Sequence, residues 1–163
     1  MPDFTLRPIT DADRDWVARF AAEHWGSDLI VSHGDLYYIS HLPGFMAEAG
    51  GVPVGLITYI IKDEQCEVGS LDSLREGLGI GTALIDTVKS VSRQAGCKRL
   101  FLITTNDNVD ALRFYQRRGF VLAALRKGAI NESRKIKPEI PLVGNYGIPI
   151  RDELELEIIL REA

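Results

Sequence analysis

Arg75-Glu76-Gly77-Leu78-Gly79-Ile80-Gly81-Thr82-Ala83-Leu84 and, further on, Asn108-Val109-Asp110-Ala111-Leu112-Arg113-Phe114-Tyr115 with Gly119-Phe120 decide how this chain is read. The first stretch lies between an alternating apolar run and a run with helical spacing, so it reads as a strand breaking into a glycine turn and then a helix. Such a turn aims several backbone N–H groups at one point, and the helix dipole adds positive potential there. A pyrophosphate suits that geometry without any charged side chain. Gly77, Gly79 and Gly81 allow the tight turn because they carry no Cβ. In the second stretch Asn108, Ala111 and Tyr115 fall at i, i+3 and i+7, on one face of a predicted helix.

Working outward, Phe4 to Ile9 alternates as a first strand, and Thr10 with Asp13 forms a T-x-x-D capping signature for a helix whose buried face carries Trp16, Val17, Phe20 and Ala21. From Ser27 to Pro43 the period fails. That polar and aromatic stretch, with His33, Gly34, Asp35, Tyr37, Tyr38 and His41, is expected to be a loop or short helix suited to binding. Phe45 to Glu48, Val54 to Ile61 and Gln65 to Leu71 form an antiparallel meander, turned at Gly50-Gly51-Val52-Pro53 and at Lys62-Asp63-Glu64.

After the glycine turn, Ile80, Leu84, Val88, Val91 and Ala95 mark a long amphipathic helix that should stop at Gly96. Arg99 to Thr104 is then a strand, and the order strand, helix, strand is a right-handed crossover between parallel neighbours. A helix starts near Asn108, carries Arg117 and Arg118 in its last turn and ends at Gly119. Phe120 to Arg126 is a strand, and Lys127 to Asp152, with Pro138, Pro141, Pro149, Gly144 and Gly147, is a long ordered or semi-ordered loop of a length that is often functional. In the last strand Leu154, Leu156, Ile158 and Leu160 alternate with Glu153, Glu155 and Glu157, giving one buried and one acidic face. The fold class expected is α/β of the α+β type: a mixed, mostly antiparallel central sheet with one parallel βαβ crossover, flanked by helices.

A chain of 163 residues, 45% hydrophobic and 26% charged, is read as a single domain over 1–163. No apolar run reaches the roughly 18 to 20 residues that cross a bilayer, and Met1-Pro2-Asp3 opens no signal or transit peptide, so a soluble cytoplasmic protein without membrane partners is expected. A net charge of −4 gives no basic field for nucleic acid and suits a cationic substrate better. Cys66 and Cys97 sit in apolar segments without CxxC spacing, and His24, His33 and His41 lack ligand spacing, so buried reduced thiols and no metal site are expected.

Taken together, the glycine turn and the Asn108 to Phe120 segment resemble the GNAT acetyltransferase superfamily, whose members carry an acetyl group from acetyl-CoA to an amine. Gly79 and Gly81 match the paired small residues of the family's turn, and Ile80, Ala83 and Leu84 match the helix that follows. Glu76 departs from the pattern, standing where Arg or Gln is usual, with Arg75 one place early; it is expected to point away to solvent. The G-x-G at Gly77 and Gly79 also opens a dinucleotide turn, but Thr82 and the single crossover speak against that reading.

The resemblance implies acetyl-CoA as cosubstrate, held by Leu71, Asp72, Ser73, Gly77, Gly79, Ile80, Gly81, Thr82, Asn108 and Tyr115. It implies that the backbone N–H near Leu71 polarises the acetyl carbonyl and that Tyr115, a phenol still protonated at neutral pH, meets the leaving thiolate. A lysine-like amine is neutral in only about one molecule in 2,500 at pH 7, so a base is required. Glu67, four residues before Leu71 and by alternation on the same face with Gly69 between, is the candidate, with Asp72 and the acidic face of the last strand as rivals. No Cys or Ser sits at a nucleophile signature, which points to direct attack in a ternary complex. His33, Tyr37 and Tyr38 are candidate substrate contacts for a small-molecule or peptide amine, and Arg134 to Arg151 a candidate cover for the cofactor or a selector of anionic acceptors. A homodimer is possible. The competing function is a non-catalytic acyl-CoA sensor or interaction module on the same fold.

Overall fold

The computed structural model describes residues 3–161 and divides into two compact units, the second of which is Phe101–Ile159. The first unit contains β1 (Thr5–Pro8), α1 (Arg14–Trp25), β2 (Leu29–Ser32), β3 (Asp35–Tyr38), β4 (Gly44–Ala49), β5 (Val52–Lys62), β6 (Gln65–Ser73) and α2 (Ile80–Gln94). Its strands run in the order β1-β4-β5-β6, all antiparallel, while β2 and β3 form a separate hairpin. The second unit takes up β7 (Arg99–Thr105) from Phe101, then α3 (Val109–Gln116), β8 (Val121–Arg126), α4 (Ala129–Ile136) and β9 (Glu153–Ile159). Its strand order is β7-β9-β8, which leaves β8 at an edge with Val121, Leu122 and Leu125 exposed. The mixed, mostly antiparallel α/β class expected from the sequence, with one crossover and flanking helices, is the class observed.

Local chemistry explains the boundaries. Asp13 accepts a hydrogen bond from the Thr10 N–H at 2.8 Å, which fixes the entry to α1, and Arg7 grips the same carboxylate with two bonds of 2.8 Å while its Nε pairs with Glu48. Val17, Phe20 and Ala21 of α1 then pack on Ile39 and Leu56. α2 closes at Gly96, whose φ of 79° lets the Gly96 and Cys97 amides turn back onto the Arg93 and Ser92 carbonyls.

Two stretches depart from expectation. The 27–43 segment is a hairpin, turned by His33 and Gly34 at φ of 50° and 82°. Both central residues are left-handed, the geometry of a two-residue type I′ turn. Strands of four residues are too short for the alternation to stand out. Within 127–152, α4 occupies Ala129–Ile136 behind a left-handed Gly128, and the rest is pinned as described below. The acidic face of the last strand is also not an open one: Glu155 is buried and paired with Arg126 at 2.7 Å.

Candidate active site

The glycine turn leaves β6 at Ser73 and enters α2 through Gly79, with Gly77 and Gly79 both at φ of 79°. A Cβ built at either glycine meets no atom within 4 Å, so the outer side of the turn is open. α2 carries no acidic residue in its first turn, and Glu76 is exposed. A helix start has N–H groups without intrahelical acceptors. Ile80 and Gly81, at that start, are themselves buried against the sheet. A Cβ at Gly55 of β5 would lie 2.5 Å from Ile80 Cγ2 and 3.2 Å from Leu84 Cδ1. The absence of a side chain there lets the helix start sit this close to β5.

β6 carries a correction. Opposite Thr58 and Tyr59 of β5 stand Ser70 and Val68, so Gly69 is an extra, bulged residue. The bulge reverses the alternation. Glu67, Ser70 and Asp72 pair with Ile60, Thr58 and Leu56 and share one face, whereas Leu71 and Ser73 pair with Ile57 and Gly55 on the face that meets α2. Glu67 and Leu71 therefore lie on opposite faces, and simple counting fails because the inserted residue is invisible in an apolar pattern.

On the face away from α2, Glu67 is buried, not a solvated strand glutamate, and both of its oxygens lie 2.8 Å from the Ser32 hydroxyl. Ser32 is itself buried and belongs to the hairpin. Cross-strand pairing puts Ile30, Ser32, Asp35 and Tyr37 on one face of that hairpin and Leu29, Val31, Leu36 and Tyr38 on the other. Of the three substrate candidates, Tyr37 thus shares the face of Ser32, while Tyr38 is 52% exposed on the far side beside His41 and His33 occupies the turn. Asp72 receives a 3.1 Å hydrogen bond from the indole of Trp25, at the end of α1. Burial raises its carboxyl above the ordinary value, with the Trp25 bond and His24 opposing.

In the second unit Asn108 caps α3: its Oδ1 accepts the Ala111 N–H at 3.3 Å and its Nδ2 donates to Thr104 Oγ1 at 3.2 Å. Seven residues on, Tyr115 is buried, its ring edge-on to Phe114 and Phe120 at 5.1 and 5.3 Å. The segment after α4 is bolted to the start of α3. Buried Asp107 accepts from the Asn145 N–H and side-chain amide at 2.9 and 3.0 Å, Asn106 accepts from the Arg151 and Asp152 N–H groups at 2.9 Å, and the Tyr146 hydroxyl reaches Asp110 at 2.7 Å. Arg134 donates to the carbonyls of Ile140, Pro141 and Ile150, and Arg151 to Asp152. Arg134 and Arg151 therefore fasten this segment.

Sequence reading missed Ser32, Trp25 and Asp107. The Ser32 partner is 35 residues away and the Trp25 partner 47, so no local signal exists for either. Burial pushes the Cys66 thiol up to about 12, and it raises Cys97 as well, so both buried sulfurs stay protonated. Among the described residues no group of three or more His, Cys, Asp or Glu side chains is placed to hold a metal, and no helix is long and apolar enough to cross a membrane.

Comparison with known proteins agrees with this geometry. The chain is 45% identical over 150 residues, 91% of its length and 94% of the relative's, to protein YxbD of Bacillus subtilis strain 168, and 43% identical over 149 residues to YdhI of the same organism. The IAA acetyltransferase of Bacillus cereus superposes with a TM-score of 0.73 at 17% identity, covering 96% of this chain and 99% of that one. A GNAT family acetyltransferase of Elizabethkingia anophelis, solved with acetyl-CoA bound, gives 0.72 at 19% identity, covering 98% and 99%. Residues 11–120, which hold the turn, α2 and α3, match the model of the acetyltransferase (GNAT) family, and the chain belongs to that family.

Proposed function

We propose that this chain is an N-acetyltransferase, working as a single domain over 1–163, that moves an acetyl group from acetyl-CoA to a primary amine by direct attack. The observation that carries the reading is the open, acid-free glycine turn at the start of α2. Left-handed Gly77 and Gly79 with the following amides form a donor set that fits a pyrophosphate. Acetyl-CoA supplies the activated thioester. In the first unit, the turn from Gly77 through Thr82 holds the phosphates, backbone groups of Leu71, Asp72 and Ser73 line the pantetheine arm, and the Leu71 N–H polarises the acetyl carbonyl.

Glu67 acts as general base toward the acceptor amine, directly or through a water, and Ser32 positions its carboxylate. In the second unit, Tyr115 donates a proton to the departing thiolate and Asn108 presents its remaining amide hydrogen to the cofactor. Two buried, protonated cysteines support direct attack over an acyl-cysteine route. The acceptor is a small-molecule or peptide amine contacted by Tyr37, on the hairpin face of Ser32, the protein is cytoplasmic, and the edge of β8 offers a route to a homodimer.

Calorimetric titration with acetyl-CoA, followed by thiol release against a panel of amines, tests the reading. Saturable binding and amine-dependent release are expected, with kcat in Tyr115→Phe down by about 10²-fold or more. Binding without release by any amine favours an acyl-CoA sensor on this fold, and no binding overturns both.

A further inference from the structure

Trp25 has no part in the proposed transfer, and Asp72 lends it only backbone groups. The Asp72 side chain lies on the β6 face shared with Glu67 and Ser70, away from α2 and the glycine turn. An ionised carboxylate offers about four acceptor sites. Among the described residues, the hydrogen bond from Trp25 Nε1 is the only one its side chain makes, and no lysine or arginine pairs with it. Trp25 is 45% exposed, so part of its side chain is open to solvent beside a carboxylate that no lysine or arginine pairs with. Desolvation by burial lifts its carboxyl above the ordinary value, against the Trp25 hydrogen bond and the charge of His24. His24, stacked 4.0 Å from Phe20, is the other titratable group acting on it.

We propose that Asp72 and Trp25 form a cation subsite that takes an alkylammonium or guanidinium group of the acceptor that stays protonated, distinct from the nitrogen that is acetylated. A carboxylate bound to an ammonium holds the proton on, and the attacking nitrogen must be neutral, so this pair serves a charge that does not react. Carboxylate plus indole face is the combination that recognises an organic cation. Glu67, the base in the acetyltransferase reading on which this inference rests, shares the face. The β5 partners of Asp72 and Glu67, Leu56 and Ile60, are four residues apart, about 13 Å along the strand. The acceptor class is therefore a long diamine, or a peptide with a basic side chain near the amine to be modified.

The test uses the full chain in a Trp16→Phe background, where Trp25 is the remaining indole. Its emission is followed while 1,6-diaminohexane or hexylamine is added without acetyl-CoA, so the readout does not depend on acetyl transfer. A saturable change with the diamine, much weaker with hexylamine and lost in Asp72→Asn, is expected. In turnover, Trp25→Leu should raise KM for the diamine about tenfold or more while moving kcat and the hexylamine KM less than about twofold. Equal loss of kcat for both amines, a shifted pH profile at constant KM, or emission indifferent to the diamine overturns the subsite. Calorimetry with acetyl-CoA in the same preparations reports separately on the family reading, so the two failures are told apart.

Discussion

Glu67 and Ser32 show how much hangs on one hydroxyl. In the proposed mechanism the Ser32 hydroxyl donates to the ionised Glu67 carboxylate and so favours the form that acts as base. Removing it works the other way. In Ser32→Ala the acid limb of the kcat/KM profile should move to higher pH, by about half to one unit if the bond contributes about 1 kcal/mol. Ser32→Thr keeps the hydroxyl and should keep the limb near its original position. Other charged groups around this face, Asp72 on β6, Lys62 on β5 and Asp35 on the hairpin, are the same in all three proteins, so the displacement reports on the hydroxyl. An unmoved limb in Ser32→Ala, with activity intact, removes Glu67 from the base role.

The contact of α2 with the sheet depends on a missing side chain. A Cβ at Gly55 would stand 2.5 Å from Ile80 Cγ2, and Ile80 is the first residue of α2, so Gly55→Ala must push the helix start whose amides we propose bind the phosphates. We expect a loss of about 1–3 kcal/mol in urea unfolding. Acetyl-CoA affinity measured by calorimetry should fall at least severalfold, and unchanged affinity would separate the helix start from the cofactor. Elements of this kind were legible: the T-x-x-D entry to α1, the Gly96 stop, the glycine turn and the Asn108 cap each rest on contacts within a few residues. What escaped was set at a distance or by one residue of irregularity. The Gly69 bulge moved Glu67 to the other face, the His33-Gly34 turn folded a seemingly aperiodic stretch into a hairpin, and α4 hid among prolines and glycines because only eight residues carry it. Turns, caps and helix starts are local enough to read from sequence; which face each strand residue looks toward is not.

At the scale of the molecule, acid response has a defined source in the first unit, where Arg7 ties β1 to the α1 entry and to β4. The guanidinium holds the Asp13 carboxyl well below the usual carboxylate range. Such a depressed group contributes stability that is complete above its unfolded value, near pH 4, and is lost as pH falls through the folded value. Arg7→Ala should therefore cost about 1–3 kcal/mol at neutral pH. Urea curves of the two proteins should converge as the pH is lowered below about 4, and a constant gap down to the acid transition would show that packing of the Arg7 stem, not charge, is responsible.

The edge position of β8 has a consequence for how the protein is made. Among the described residues β9 is its only sheet neighbour, and the ribosome delivers Val121–Arg126 before Glu153–Ile159. At ordinary elongation rates the apolar Val121–Leu125 stretch of that strand waits on the order of seconds for its partner. During that interval it is a template for any other waiting copy, so yield is decided by crowding of nascent chains before it is decided by the native state. Slower initiation or a cooler culture thins that crowd, and Leu125→Thr on the exposed side should raise the soluble fraction without changing the melting temperature by more than a degree or so.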